Sequence, residues 1–209
     1  MSKKHNTGYS RRDFMKTAVK GTVGSGIALA GFPTIVPANV LGGQNAPSNQ
    51  INVGAIGNGR ISRDHDMPGV LRYERARITG VCDLDSKRVQ SAKKLVNDYY
   101  TKKSGKAYDG VTTYEDYREL LNNKDIDAVL ISTPDHWHVI PAIHAVRAGK
   151  DVYMQKPASL TIAEGRALSN EAHKAGAIFQ IGSQQRSMPQ FKKACELVRN
   201  GRIGKLQSI

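Results

Sequence analysis

A chain of 209 residues has room for one sizeable domain and a tail, and with 39% hydrophobic and 23% charged residues its composition is that of a globular protein. No apolar run reaches the roughly 18–20 residues that a membrane-spanning helix needs, so no membrane anchor is expected. The net charge of +13 invites a nucleic-acid reading, but residues 1–20 alone carry Lys3, Lys4, Arg11, Arg12, Lys16 and Lys20 against Asp13. The rest of the excess is scattered through helical segments. We read it as a solvated basic surface or a phosphate-attracting cleft, and expect no nucleic-acid partner because no groove-reading motif appears. The two cysteines, Cys82 and Cys195, show neither a disulfide framework nor metal-ligand spacing.

Taken in chain order, Ser10-Arg11-Arg12-Asp13-Phe14-Met15-Lys16 resembles a twin-arginine export signal, with Met in place of the usual Leu. The weakly apolar run over 18–32 is too short and too rich in glycine for an anchor helix. Val36-Pro37-Ala38 and Gln44-Asn45-Ala46 are candidate cleavage points, and no nearby cysteine suggests a lipoprotein. Such a signal implies the twin-arginine export machinery as a partner and a periplasmic destination. That route carries folded proteins, so a nucleotide would be loaded first and carried out tightly bound. Residues 33–50, with Pro33, Pro37, Gly42, Gly43 and Pro47, read as a linker. We divide the chain into signal and linker (1–46), a dinucleotide-binding domain (47–185) and the start of a further domain (186–209).

Strand-like and helix-like patterns then alternate. Ile51–Ile56 reads as a buried strand and 60–72 as a helix or turn interrupted at Pro68-Gly69. A second strand over 77–82 closes at Asp83. A polar helix over 85–103 carries the apolar stripe Val89, Ala92, Leu95, Val96 and Tyr99. A loop over 105–110 leads to a short strand at 111–113, then a helix over 114–122 with Thr113 as its cap. The strand at 127–132 breaks at Thr133-Pro134, and a helix over 136–148 stops at Gly149. A strand at 151–154, a helix at 162–175 ending at Gly176, a strand at 177–182 and a helix at 189–199 follow. Residues 205–209 look like the start of another strand. This alternation predicts α/β architecture, a Rossmann-type doubly wound parallel sheet.

Gly57-x-Gly59-x-x-Ser62 follows the first strand and fits the dinucleotide fingerprint, with Ser in the third small position. The first glycine permits a tight turn, and the second lets a pyrophosphate approach the backbone. Asn58, Arg60 and Ile61 complete the turn and join the cofactor-binding set. Asp83 ends the second strand 24 residues past Gly59. A carboxylate there accepts hydrogen bonds from a ribose 2′-hydroxyl and repels a 2′-phosphate, which favours NAD over NADP. Arg60 and Arg88 are the nearby cations that can shift that preference.

Three further segments carry a family resemblance: Ser132-Thr133-Pro134-Asp135-His136-Trp137-His138, Ala148-Gly149-Lys150, and Val152-Tyr153-Met154-Gln155-Lys156-Pro157. From about residue 51 onward the chain resembles the Gfo/Idh/MocA oxidoreductases, the relatives of glucose–fructose oxidoreductase and inositol dehydrogenase. The export signal and Gly182-Ser183-Gln184-Gln185-Arg186 resemble the family's exported branch. The resemblance places Thr133, Pro134 and His138 near the nicotinamide. It puts Lys156 at the reacting carbon's hydroxyl and the nicotinamide ribose, before a proline bond that is often cis. Gln155 stands where the family has glutamate, which implies less negative charge beside Lys156. Arg186 is a candidate substrate contact. The resemblance also implies a C-terminal α/β domain bearing an acid/base pair, missing or only begun here, so this chain is expected to be a fragment unable to complete catalysis alone. The full-length protein is expected to be a homo-oligomer.

Independently of resemblance, a cation at the end of a parallel strand can stabilise the alkoxide-like charge that builds on a carbinol oxygen as hydride leaves. Lys156 is therefore the expected catalytic residue. His136-x-His138 lacks a third ligand and His144 falls off its face, so no metal site is expected. Trp137 and Cys82 read as packing residues. The expected function is NAD(P)-dependent hydride transfer with a secondary hydroxyl of a sugar or cyclitol. Glycoside hydrolysis by transient oxidation on a bound NAD is one alternative. A non-catalytic nucleotide-binding protein is the other.

Overall fold

The computed structural model describes residues 49–208. The export signal, both candidate cleavage points and most of the linker lie outside the described residues. Six strands build one sheet: β1 Ile51–Ile56, β2 Ala76–Cys82, β3 Thr112–Tyr114, β4 Ala128–Ile131, β5 Asp151–Gln155 and β6 Phe179–Gly182. Their order is β3-β2-β1-β4-β5-β6, and every neighbouring pair is parallel. The chain winds outward from β1 in one direction and from β4 in the other, which opens a crevice between them. The predicted doubly wound sheet is what forms.

The helices are α1 Met67–Leu71, α2 Ser86–Ser104, α3 Tyr117–Asn122, α4 Val139–Arg147, α5 Ile162–Ala175 and α6 Pro189–Arg199. Two apolar clusters divide them between the sheet faces. Val53, Ala55, Ile78 and Val81 pack with Met67 and Leu71 of α1 and with Val89, Ala92 and Val96 of α2. Ile56, Val129, Ile131, Val152 and Met154 pack with Leu120 and Leu121 of α3, with Val139, Ala142 and Ala145 of α4, and with Leu168 of α5. Because successive strand residues feed opposite clusters, the central strands must be apolar throughout.

Local signals fix the helix ends. Asp85 caps α2 by accepting from the Lys87 and Arg88 N–H groups. Thr161 and Glu164 form a reciprocal capping box on α5. Gly149 follows α4 with φ +72°, the left-handed conformation expected there. Lys150 is buried and donates to the Asn123 and Ile126 carbonyls at 2.8 and 2.7 Å, tying the start of β5 to the segment before β4.

Four sequence expectations need correction. The segment after the glycine turn is not interrupted at Pro68-Gly69. A π-helical turn, Ser62–Asp66, runs directly into α1, and the Met67 N–H reaches back to the Ser62 carbonyl. Pro68 directly follows the π turn, and the chain stays helical through it. Thr113 does not cap α3; β3 extends to Tyr114, and the Asp116 carboxylate accepts from the Arg118 N–H instead. The segment predicted as one helix over 136–148 begins with a 3₁₀ turn, Asp135–Trp137, and leaves Trp137 44% exposed rather than packed. No strand forms over 205–208.

Cys82 ends β2 inside the core, and burial first, then the charges of Asp83, Asp116 and Glu119, push its thiol up to about 12. Cys195 is exposed on α6. Thiolate is the reactive form. Under native conditions at pH 8, mass spectrometry after maleimide treatment should therefore show a single adduct, on Cys195, with Cys82 labelled only after denaturation.

Candidate functional site

The strand register aligns the C-terminal ends of the sheet. Ile56 pairs with Cys82 on one side and Ile131 on the other, Ile131 with Met154, and Gln155 with Gly182. The segments that follow, starting at Gly57, Asp83, Ser132, Lys156 and Ser183, therefore all emerge along one edge. Ligands in open parallel sheets bind at that edge, where the winding reverses.

The glycine turn is shaped by contact as well as by conformation. Gly57 has φ +81°, and a Cβ there would lie 2.7 Å from the Thr133 nitrogen and 2.8 Å from the Ser132 carbonyl carbon. Gly59 has nothing within 4 Å of an added Cβ. The helix that follows starts from it, with the Arg63 N–H on the Gly59 carbonyl. The open space at Gly59 thus lies where unpaired helix N–H groups attract an anion.

Asp83 does more than the sequence suggests. Its Oδ2 accepts the Asn58 N–H at 2.7 Å and its Oδ1 accepts the Asp85 N–H at 3.0 Å. It therefore ties β2 to the turn, while each carboxylate oxygen keeps a second lone pair for a ribose hydroxyl. Asn58 is fully buried; its N–H is committed to Asp83 and not to a phosphate. Arg60 and Ile61 lie exposed in the first helical turn. The Arg88 side chain is exposed and sits 3.5 Å from Asp85, a surface pair of the kind that contributes little.

A cleft of about 770 Å³ opens beside the turn, within the size range of small-molecule sites. Among its lining residues are Ile61, Thr133, His138, Gln155, Lys156 and Arg186, all expected from the sequence. Gly57, Asn58, Gly59, Arg60, Asp83, Arg88 and Pro134 do not line this cleft. The turn and the cleft are therefore adjoining parts of one edge. Lys156 is exposed, and its peptide bond to Pro157 is cis. His138 is buried, with Nδ1 2.6 Å from the Pro157 carbonyl oxygen. A carbonyl only accepts, so Nδ1 carries a proton, and Nε2 has no protein partner. This bond joins the Thr133–His138 segment to the Lys156-Pro157 turn.

Sequence reasoning missed Asp66. It is buried, its Oδ2 accepts from Ser132 Oγ and its Oδ1 from Gln155 Nε2, both at 2.7 Å. Gln155, next to Lys156, is therefore held from behind by a buried acid side chain. His65 and Met188 also line the cleft unforeseen. Stepping back by helical periodicity from Met67 and Leu71 points to Arg63 and Asp64, whereas the buried residues are Ser62 and Asp66. The wider π turn shifts the inward face, and no local sequence signal marks it.

Buried polar atoms without a protein partner mark the same region: both side-chain polar atoms of Asn58, Ser62 Oγ, Thr133 Oγ1 and His138 Nε2. Folded interiors leave few such atoms unpaired. Together with the open approach at Gly59 and the Asp83 carboxylate, they fit a polar, phosphate-bearing dinucleotide. Among the described residues no cluster of three or more His, Cys, Asp or Glu is arranged to hold a metal.

The fold and this edge define a dinucleotide-binding α/β domain. Residues 51–183 match the Gfo/Idh/MocA oxidoreductase family, NAD-binding Rossmann fold, and the chain belongs to that family. It is 32% identical over 158 residues to the uncharacterized oxidoreductase YrbE of Bacillus subtilis, covering 75% of this chain and 42% of that protein. It is 33% identical to glycosyl hydrolase family 109 protein 2 of Shewanella sp. strain ANA-3, covering 76% of this chain and 36% of the relative. The crystal structure of scyllo-inositol dehydrogenase from Lactobacillus casei, with bound NAD(H) and scyllo-inositol, superposes with a TM-score of 0.63 at 25% identity. That match covers 75% of this chain and 43% of the enzyme. The chain thus spans about two fifths of the length of these proteins.

The two glycines should fail in different ways. Gly57→Ala forces a side chain into backbone at a left-handed position and should destabilise the domain by more than about 2 kcal/mol. Gly59→Ala should leave the thermal midpoint near wild type yet weaken NAD binding at least about tenfold by occupying the pyrophosphate's approach. Thermal denaturation and calorimetric titration of both variants check this.

Proposed function

We propose that this chain forms the cofactor-binding part of an NAD-dependent oxidoreductase that transfers hydride between nicotinamide and a secondary hydroxyl of a sugar or cyclitol. The observation that carries it is the placement of the Gly57 turn, Thr133 and Lys156 on one edge of the sheet, in a chain of this family. The turn and the helix start at Gly59 hold the pyrophosphate, and Asp83 accepts from the adenosine ribose, which favours NAD over NADP. Thr133, Pro134 and His138 flank the nicotinamide end, with His138 Nε2 free of protein partners there. Bound nicotinamide supplies the hydride acceptor or donor. Lys156 donates a hydrogen bond to the substrate oxygen and stabilises its negative charge in the transition state. Arg186 also lines the cleft, which supports it as a contact for a polar substrate.

A second reading keeps the same residues but changes the net reaction. Similarity to a glycosyl hydrolase family 109 protein supports glycoside cleavage through transient oxidation, with the cofactor returned to its starting state. Aglycone release without lasting absorbance change at about 340 nm separates it from a dehydrogenase. Either way, Lys156→Ala in the full-length protein should lower kcat/KM about 100-fold or more while changing the Kd for NAD less than about threefold. Steady-state assays on inositols, hexoses and aryl glycosides, beside calorimetry, check the split. Unchanged turnover would remove Lys156 from the reaction.

We further propose export by the twin-arginine route, supported by Arg11-Arg12 and the weakly apolar run that follows. A cofactor bound before export would have to remain tightly held in the periplasm. Arg11→Lys with Arg12→Lys should retain the protein in the cytoplasm, as read by cell fractionation, and nucleotide should be detected by mass spectrometry in wild-type protein denatured after isolation from the periplasm.

A further inference from the structure

The groups behind the cleft floor form a continuous polar chain. Asp66 closes the π turn with 7% of its surface exposed. It receives hydrogen bonds from Ser132 on one oxygen and Gln155 on the other. The Gln155 side-chain oxygen in turn accepts the Lys156 N–H at 3.2 Å. Ser132 and Gln155 both line the cleft, so the Asp66 carboxylate lies one side chain behind it. Each carboxyl oxygen thus has a hydrogen-bond partner at 2.7 Å. Among the described residues it forms no salt bridge, so no cation offsets its charge directly. Tyr153 senses that charge: after burial, the Asp66 carboxylate is the next cause raising its phenol above the ordinary range.

We propose that Asp66 is a positioning residue that sets the charge of the cleft, its buried carboxylate orienting the Gln155–Lys156 junction and favouring a cationic ring in front of it over a neutral one. The inference rests on reading the cleft as the nicotinamide end of the cofactor site. Oxidised nicotinamide carries a positive charge and reduced nicotinamide carries none. A negative charge held in a poorly solvated layer behind them therefore tightens NAD⁺ relative to NADH. Gln155 relays position without adding charge, so the floor of the site holds one buried acid rather than two in contact, which would not both ionise.

Asp66→Asn isolates the charge. With its side-chain oxygen toward Gln155 and its amide toward Ser132, whose hydroxyl can accept as well as donate, every bond has a replacement. Calorimetric titration of the full chain with NAD⁺ and with NADH gives the ratio Kd(NADH)/Kd(NAD⁺). The ratio should fall about tenfold in Asp66→Asn, the scale of a charge effect at an effective dielectric of about 20. It should return toward wild type in Asp66→Asn with Gln155→Glu, which moves the charge across one hydrogen bond. A merely structural Asp66 would shift both affinities together and show no rescue. If the single variant fails to fold, Asp66→Leu with Gln155→Met removes both polar groups at similar volume and should show the same fall. A wild-type ratio in any folded variant lacking the charge overturns the inference and leaves the cofactor reading standing. A wild-type chain that binds neither nucleotide overturns both.

Discussion

The close approach of Gly57 to the peptide joining Ser132 and Thr133 is the constraint on which the rest of this edge depends. β1 and β4 are neighbours in the sheet, but their chains leave in opposite directions to build its two halves. The crevice between them exists because the β1 turn folds tightly against the β4 turn. A side chain at Gly57 would occupy the space of that backbone. The helix start at Gly59, the anchor from Asp83 to the Asn58 N–H and the position of Thr133 all follow from that contact. Packing on both sheet faces holds the strands in register, so the geometry at the switch point is inherited from the core.

Around that contact the polar groups interlock. His138 joins the β4 segment to the Pro157 carbonyl, and Asp66 joins the helix after the glycine turn to both Ser132 and Gln155. Three segments far apart in sequence are thereby held against one another behind the cleft. Lys156 remains exposed at its surface. Under the proposed hydride transfer, this division keeps the orienting groups buried and hydrogen-bonded and leaves the cation proposed to meet a substrate oxygen accessible. Gln155, taken by itself, suggests a site with diminished charge. Its partner Asp66 shows that a carboxylate is present one residue further in.

The cleft is lined partly by residues 183–188, which leave β6 and lead into α6. Among the described residues of α6 none is buried, although Phe191, Leu197 and Val198 are apolar and the helix packs against the turn at 184–187. The edge at the glycine turn is therefore built by the sheet, whereas one wall of the cleft lies in a segment that the sheet does not bury.

The sheet and most of the candidate site are legible along the chain. Apolar runs alternating with helical stripes specify strands fed from both faces, and glycines at 57, 149 and 176 mark where the chain must turn left-handed, because such signals are local. Gly59, Asp83, Thr133, His138 and Lys156 were legible for the same reason: each follows a strand end or lies in a contiguous motif. What those residues bind to depends on contacts between distant segments. The π turn rotates Asp66 inward in place of the residues helical periodicity selects, and it does so to meet Ser132 and Gln155, which lie 66 and 89 residues further along the chain. The cap of α3 moved from Thr113 to Asp116 because pairing with β2 extends β3 to Tyr114. Trp137 stayed exposed because a 3₁₀ turn, not an α-helix, opens that segment. In each case a long-range pairing or an irregular turn outweighed a local preference, and no periodicity read along the chain can register either.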